Sequence, residues 1–291
     1  MGHQRELGNC VDLHYTSASG TASGGATGFV GQARDLCYDD PAKPVGRLLL
    51  NRDQFQIRLA GESWRAKSNL LVERRYSSRG YKRDVLGASS GCESVTVQAC
   101  NGDEVFGTVN VGFDSKAGLA CDALYKGEID VFRKQGTIPA EFTRLAVEPE
   151  CGSKEVLGCL FHVASLFAAT TGRATDMFIE VNPRHVAFYR RMLNFVAAGD
   201  CKICPRVDAP AVLLHLEMAY VRQQIALCGG HRGEAKRSLY PYFCSLEEEA
   251  TLLRRMRDVQ AEETAAAVTA LHHRAFRSDV ELKIARAGQQ H

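Results

Sequence analysis

The stretch that decides the fold is Phe178-Ile179-Glu180-Val181-Asn182-Pro183-Arg184-His185-Val186-Ala187-Phe188-Tyr189-Arg190-Arg191-Met192-Leu193-Asn194-Phe195. Its opening, with Met177, is a short apolar run that reads as a buried strand, Met177 to Val181. Pro183 ends the strand, because proline has no N–H for a ladder and suits the first turn of a helix. Val186, Phe188, Tyr189, Met192 and Leu193 then recur at helical spacing. Asn194 can take the left-handed conformation that closes a helix. Asn182 at the strand end and Tyr189 on the helix are thereby placed to face one ligand.

Upstream, Ser153 is a plausible N-cap for a helix over Lys154 to Thr170. Val156, Leu157, Leu160, Val163, Ala164 and Phe167 give that helix an apolar face. Before it, Glu141 to Val147 reads as a strand ended by Pro149 and Gly152. Leu124 to Lys134 is a short helix or an irregular excursion. Ser94 to Ala99 alternates, Asn101-Gly102-Asp103-Glu104 turns, and Val105 to Phe113 returns, which predicts a hairpin. Ser68 to Tyr76 reads as helix, whereas Phe55 to Ala60 stays open between strand and helix. Downstream, Pro210 to Glu217 gives a final strand.

The chain divides by composition into three parts. Residues 1–45, rich in Gly, Ser, Thr and Ala, read as a flexible arm. Residues 46–220 form the core, and residues 221–291 a helical C-terminal extension. In the extension Leu252, Leu253, Met256 and Val259 are spaced for one helix face. No repeat of fixed period is present.

The 291 residues are enough for one good core. Charge is balanced, 36 basic against 34 acidic residues, which argues against wholesale nucleic-acid binding. Eleven cysteines, an odd and scattered set, point to a reducing compartment. Cys201-x-x-Cys204 lacks a second half nearby, so a loop pair is expected and no metal site. The polar N-terminus has no signal-peptide pattern. The longest apolar run, Val156 to Ala169, is interrupted by His162 and Ser165 and is too short to cross a bilayer. A soluble cytoplasmic protein with no integral membrane span is the expectation. The Gly-rich tract Gly20 to Gly31 has no Lys-Ser/Thr ending and is no phosphate loop.

The strand–Asn–helix–Tyr order resembles the last conserved block of the GNAT acyltransferases. There an Asn near the strand end contacts the pantetheine arm, and a helical Tyr lies near the thioester sulfur. The common form follows that Tyr with a Gly-Phe pair; here Asn194 stands in for the Gly, one residue later. With Asn182-Pro183-Arg184-His185 and Phe188-Tyr189-Arg190-Arg191, the variant resembles the FeeM-type N-acyl amino acid synthases, related to the acyl-homoserine-lactone synthases. The resemblance implies an α/β (α+β) fold: a GNAT-like core with a mixed, centrally splayed sheet flanked by helices, plus a C-terminal helical appendage. It also implies transfer of a long-chain fatty acyl group to the α-amine of an amino acid, tyrosine being the acceptor of the family prototype. An acyl-homoserine-lactone synthase, or a non-catalytic module that binds acyl carrier, is the alternative.

Acyl transfer needs a groove for pantetheine, donors for the carbonyl oxygen, a proton acceptor for the amine and an acid for the leaving thiolate. Tyr189, a phenol protonated at neutral pH, is the candidate acid; the alternative is a core tyrosine. Asn182 is the groove amide, or simply the strand terminator. Glu141-Phe142-Thr143-Arg144-Leu145 resembles the Glu-x-Ser-Arg-Phe strand of the lactone synthases. By that resemblance Glu141 binds or helps deprotonate the acceptor amine, and Arg144 organises the site; an edge-strand ion pair is the alternative. Alternation sets Glu141, Thr143 and Leu145 on one face and Phe142 and Arg144 on the other. Thr143, Leu145, Val147 and His185 complete the candidate substrate and pantetheine contacts. Leu157, Leu160, Phe161, Phe167, Phe106, Phe113, Phe132 and Phe142 are candidates for lining an acyl tunnel or for ordinary core.

Coenzyme A users of this fold carry a glycine-rich turn whose amides cradle the pyrophosphate at a helix N-terminus. The equivalent stretch here, Glu150 to Gly158, lacks the pattern and carries Glu150 and Glu155. An acyl-phosphopantetheine on acyl carrier protein is therefore the expected donor, in preference to acyl-coenzyme A, with no tightly bound cofactor. Carriers are acidic and need a basic dock. Residues 52–83 hold nine Arg or Lys against three acids. Arg74, Arg75, Arg79, Lys82 and Arg83, or Arg184, Arg190 and Arg191 on the helix, are the candidate dock; a solvated face is the alternative. His162, His215 and the pair His272-His273 sit in no nucleophile setting.

Overall fold

The computed structural model describes residues 47–81, 93–232 and 237–262. The expected arm, Lys82 and Arg83, and His272-His273 lie outside the described residues. The chain divides into two compact units, the first ending at Leu246 and the second starting at Glu247.

In the first unit, β1 (Arg47–Asn51), β2 (Gln56–Leu59), β3 (Ser94–Asn101), β4 (Glu104–Phe113) and β5 (Pro139–Val147) form an antiparallel run. β5 then pairs in parallel with β6 (Asp176–Val181), and β9 (Ala209–Glu217) pairs antiparallel with β6. Two short strands, β7 (Val196–Ala197) and β8 (Lys202–Cys204), pair with β9. The sheet is mixed, as expected, and Phe55 to Ala60 resolves as strand. β1, β7 and β8 were not legible, being short and without alternation.

The parallel pair is where the sheet opens. Register runs from Pro139–Asp176 to Phe142–Ile179 and stops, although β5 continues to Val147 and β6 to Val181. The cause sits on β5. Thr108 pairs with Ala146 but Asn110 with Thr143, so β5 carries one extra residue there. Arg144 lies in that bulge with φ +53°, in the left-handed region. A bulge bends and twists its strand away from its neighbour.

Helices α1 (Glu62–Ser77), α2 (Asp122–Lys134), α3 (Lys154–Thr170), α4 (Pro183–Leu193) and α5 (Met218–Cys228) complete the unit. The excursion at Leu124 to Lys134 is thus helix. α3 starts where the sequence places it: the Ser153 hydroxyl accepts from the Val156 N–H at 3.1 Å. It is buried along its whole girth from Val156 to Ala168, not on one face alone. The segment Tyr240–Tyr242 packs on its far side, and Gly158 makes this possible, since a Cβ there would lie 2.6 Å from Tyr242 Cβ. His162 is fully buried, stacked on Phe243, and its Nδ1 accepts from the Cys244 N–H at 2.8 Å. The core therefore runs past the expected boundary at residue 220, because α5 and residues 239–244 supply apolar cover that α3 requires. In the second unit residues 247–262 are helical, with Arg254 donating to Thr251 Oγ1 at 2.9 Å. No described helix is long and apolar enough to cross a membrane.

Candidate active site

α4 is held at both ends by its own sequence. Asn182 caps it, its side-chain oxygen accepting from the Arg184 N–H at 3.2 Å. Asn194 closes it at φ +65°, with Asn194 N–H bonded to Arg190 O and Phe195 N–H to Tyr189 O. This fixes Tyr189 on the buried face, edge-on to Phe161, Phe188 and Phe195.

A cavity of about 170 Å³ opens where β5 and β6 part. Glu141, Phe142, Thr143, Arg144 and Leu145 all line it, together with Asn182, His185 and Tyr189. Seven of the eight expected catalytic and substrate positions converge there, counting Glu141, Thr143, Arg144, Leu145, Asn182, His185 and Tyr189. Val147 does not; it lies farther along β5, paired with Gly107. The strict alternation expected for 141–145 fails at the bulge, which is how five consecutive residues reach one cavity. Nor is this an edge strand, since β5 is paired on both sides. Of the tunnel candidates only Phe142 and Phe161 line the cavity, their rings 5.7 Å apart.

Glu141 is 3 % exposed. Its carboxylate accepts from the Ala120 N–H at 2.6 Å and the Cys121 N–H at 3.0 Å. Gly112, its partner on β4, leaves the room: a Cβ there would stand 2.9 Å from Glu141 Cγ. Burial pushes the carboxyl above the usual range, while the two N–H donors and the nearby Arg206 pull it back. Burial likewise lowers the Arg144 guanidinium from its ordinary value.

Sequence reasoning missed Tyr76, Tyr81, Glu180, Cys204 and Arg206, all on the cavity wall. Arg206 Nη2 donates to Glu180 Oε2 at 2.8 Å. Pro205 and Asp208 between β8 and β9 were the available turn signal for its hairpin, with Asp208 at φ +53°. Arg184 donates to Tyr81 Oη at 2.9 Å and to His185 Nε2 at 3.2 Å. Of the other dock candidates, Arg74 and Arg75 both pair with Glu148. Arg79 is half-buried, and Arg190 and Arg191 are exposed on the last turn of α4.

At the head of α3 the backbone is engaged internally. Cys151 N–H bonds Glu148 O, Ser153 N–H bonds Cys151 O and Leu157 N–H bonds Ser153 O. Glu155 pairs with Arg52 and Arg232. Asp176 and His215 form a separate buried pair, 2.6 Å apart. Cys201 is exposed and Cys204 buried, and no group of three or more His, Cys, Asp or Glu suited to a metal occurs among the described residues.

A mixed sheet splayed between two parallel strands, with a Glu, an Arg and a helical Tyr around the opening, defines a GNAT-like acyltransferase. The chain belongs to the N-acyl amino acid synthase FeeM family, whose model matches residues 67–217. Among solved structures it is similar to FeeM, an N-acyl amino acid synthase from uncultured soil microbes, at 24 % identity and TM-score 0.53 over 57 % of this chain and 93 % of that one. An acyl-CoA N-acyltransferase from Pseudomonas aeruginosa matches at 12 % identity and TM-score 0.40, over 56 % of this chain and 97 % of that one. Escherichia coli ElaA matches at 12 % identity and TM-score 0.40, over 56 % and 99 %. No curated protein matches. The protein is thus an N-acyltransferase, an enzyme that uses an acyl donor and an amino-acid acceptor.

Proposed function

We propose that this enzyme moves a long-chain fatty acyl group from the phosphopantetheine thioester of an acyl carrier protein to the α-amine of an amino acid, tyrosine among the candidates. The observation that carries the reading is that Glu141 and Tyr189, from β5 and α4, wall one cavity at the splay. The amine nitrogen attacks the thioester carbonyl directly; a C–N bond forms and the C–S bond breaks. Glu141 takes the amine proton, directly or through water, and a carboxyl raised by burial is a better base than a free one. Tyr189 donates its phenolic proton to the departing thiolate. Thr143, Leu145, Asn182 and His185 hold the pantetheine and substrate, and Arg144 organises them. Phe142, Phe161, Ile179 and Val181 cover the first carbons of the chain.

A carrier donor is favoured because the turn into α3 lacks the glycine-rich pattern of coenzyme A users, and its Cys151 and Ser153 N–H groups bond within the turn.

The test is steady-state kinetics with an acyl carrier thioester as donor. Glu141→Ala and Tyr189→Phe are expected each to lower kcat by about 100-fold or more, the ordinary scale of a lost acid or base. Carrier affinity should hold, and Tyr189→Phe keeps the ring contacts and so the fold. Full activity in either variant removes that residue from the chemistry.

A further inference from the structure

An α-amino acid carries a cation and an anion on one carbon, so a site that selects it needs a carboxylate and a cation side by side. In the proposed N-acyltransferase the ammonium side falls to Glu141, and the acceptor's carboxylate still needs a cation. We propose that Arg206 receives the acceptor's α-carboxylate, so that the enzyme selects amines bearing a free carboxylate; this rests on the amino-acid acceptor reading above.

Arg206 lies on the β8–β9 hairpin and lines the cavity at the splay. It also lines a second cleft, of about 630 Å³, and Ala120 is the other residue common to both. Ala120 is the residue whose N–H holds Glu141. Arg206 therefore stands on the wall shared by the two spaces, beside the carboxylate that meets the amine. Its charge is felt at Glu141.

The cleft's other guanidinium, Arg133, is committed to Asp114, Asp122 and Asp130 at 2.7 to 2.8 Å. Arg206 donates from Nη2 to Glu180 at 2.8 Å. A guanidinium has five N–H donors in a fixed fork, so its bonds to Glu180 and the Cys204 thiol orient the group without exhausting it. Glu180 thus holds the fork in place, and a carboxylate arriving from the cleft completes it bidentately.

The experiment offers the enzyme each proteinogenic amino acid beside its α-amide, with a lauroyl carrier-protein thioester, and reads product amide by mass. Wild type is expected to prefer the acids. Arg206→Gln should collapse the acid-over-amide ratio in kcat/KM by about 10- to 100-fold, chiefly through KM, the scale of a lost charge-assisted pair. Arg206→Lys should recover part of it. Glu180→Gln with Arg206→Gln leaves no unpaired charge and guards against simple misfolding; it should lose the preference equally. The proposal is overturned if wild type acylates amides as readily as acids, if the preference survives the double change, or if it follows Arg144→Gln instead. A thioester that is only hydrolysed, with no amine acylated, contradicts the acyl-transfer reading itself and is a different result.

Discussion

Glu141 is a carboxylate that burial works against and geometry retains. Two backbone N–H groups aim at its oxygens, and Gly112 leaves the space its side chain fills. An acid whose folded pKa lies above its unfolded value adds most to stability below the unfolded pKa. That contribution is lost as pH rises through the folded pKa. The unfolding free energy of wild type relative to Glu141→Gln should therefore be greatest near pH 4 and shrink toward pH 7, as urea titrations at each pH would read. A gap that widens with pH would mean that the N–H donors and Arg206 outweigh burial. The residue types at this site were legible because chemistry and strand position agreed at Glu141, Asn182 and Tyr189. Arg206 was not, because its importance comes from a hairpin too short to show alternation.

At the scale of the element, the bulge in β5 is the decisive feature. It ends the pairing with β6 after Phe142 and turns Arg144 into the left-handed region. Sequence alone predicted an ordinary alternating strand, since nothing in Thr143-Arg144-Leu145 marks a left-handed position; a glycine would have. That absence has a measurable cost. Arg144→Gly should be more stable than Arg144→Ala by about 1 kcal/mol, because glycine alone enters this region without a Cβ clash. Urea midpoints of the two variants check it, and an equal or reversed order would place the strain elsewhere. α3 and α4 were the best-read elements, with Ser153, Asn182 and Asn194 capping them as their residue types require. α3 differed only in being buried on every side, which depends on residues 239–244 and so on distant sequence.

For the molecule as a whole, the mixed sheet with a central splay came with the resemblance, whereas β1, β7, β8 and the core's extension to Leu246 were not legible. Charge decides how a carrier would dock. Glu148 already pairs with Arg74 and Arg75, so under the proposed carrier donor the exposed Arg190 and Arg191 are the better dock candidates. Reversing both to Glu should raise KM for an acyl carrier donor about tenfold at low salt, an effect that fades as salt screens it. KM for a small acyl-pantetheine thioester should stay put, and a parallel rise there would argue for damage to the cavity instead. Direct N-acylation at the splay is read most immediately by product mass after mixing the enzyme, a long-chain acyl carrier thioester and pooled amino acids. An N-acyl amino acid and free carrier thiol are expected in equal amounts, with the enzyme's own mass unchanged. A free fatty acid, a lactone or an acylated enzyme in place of that amide would contradict it.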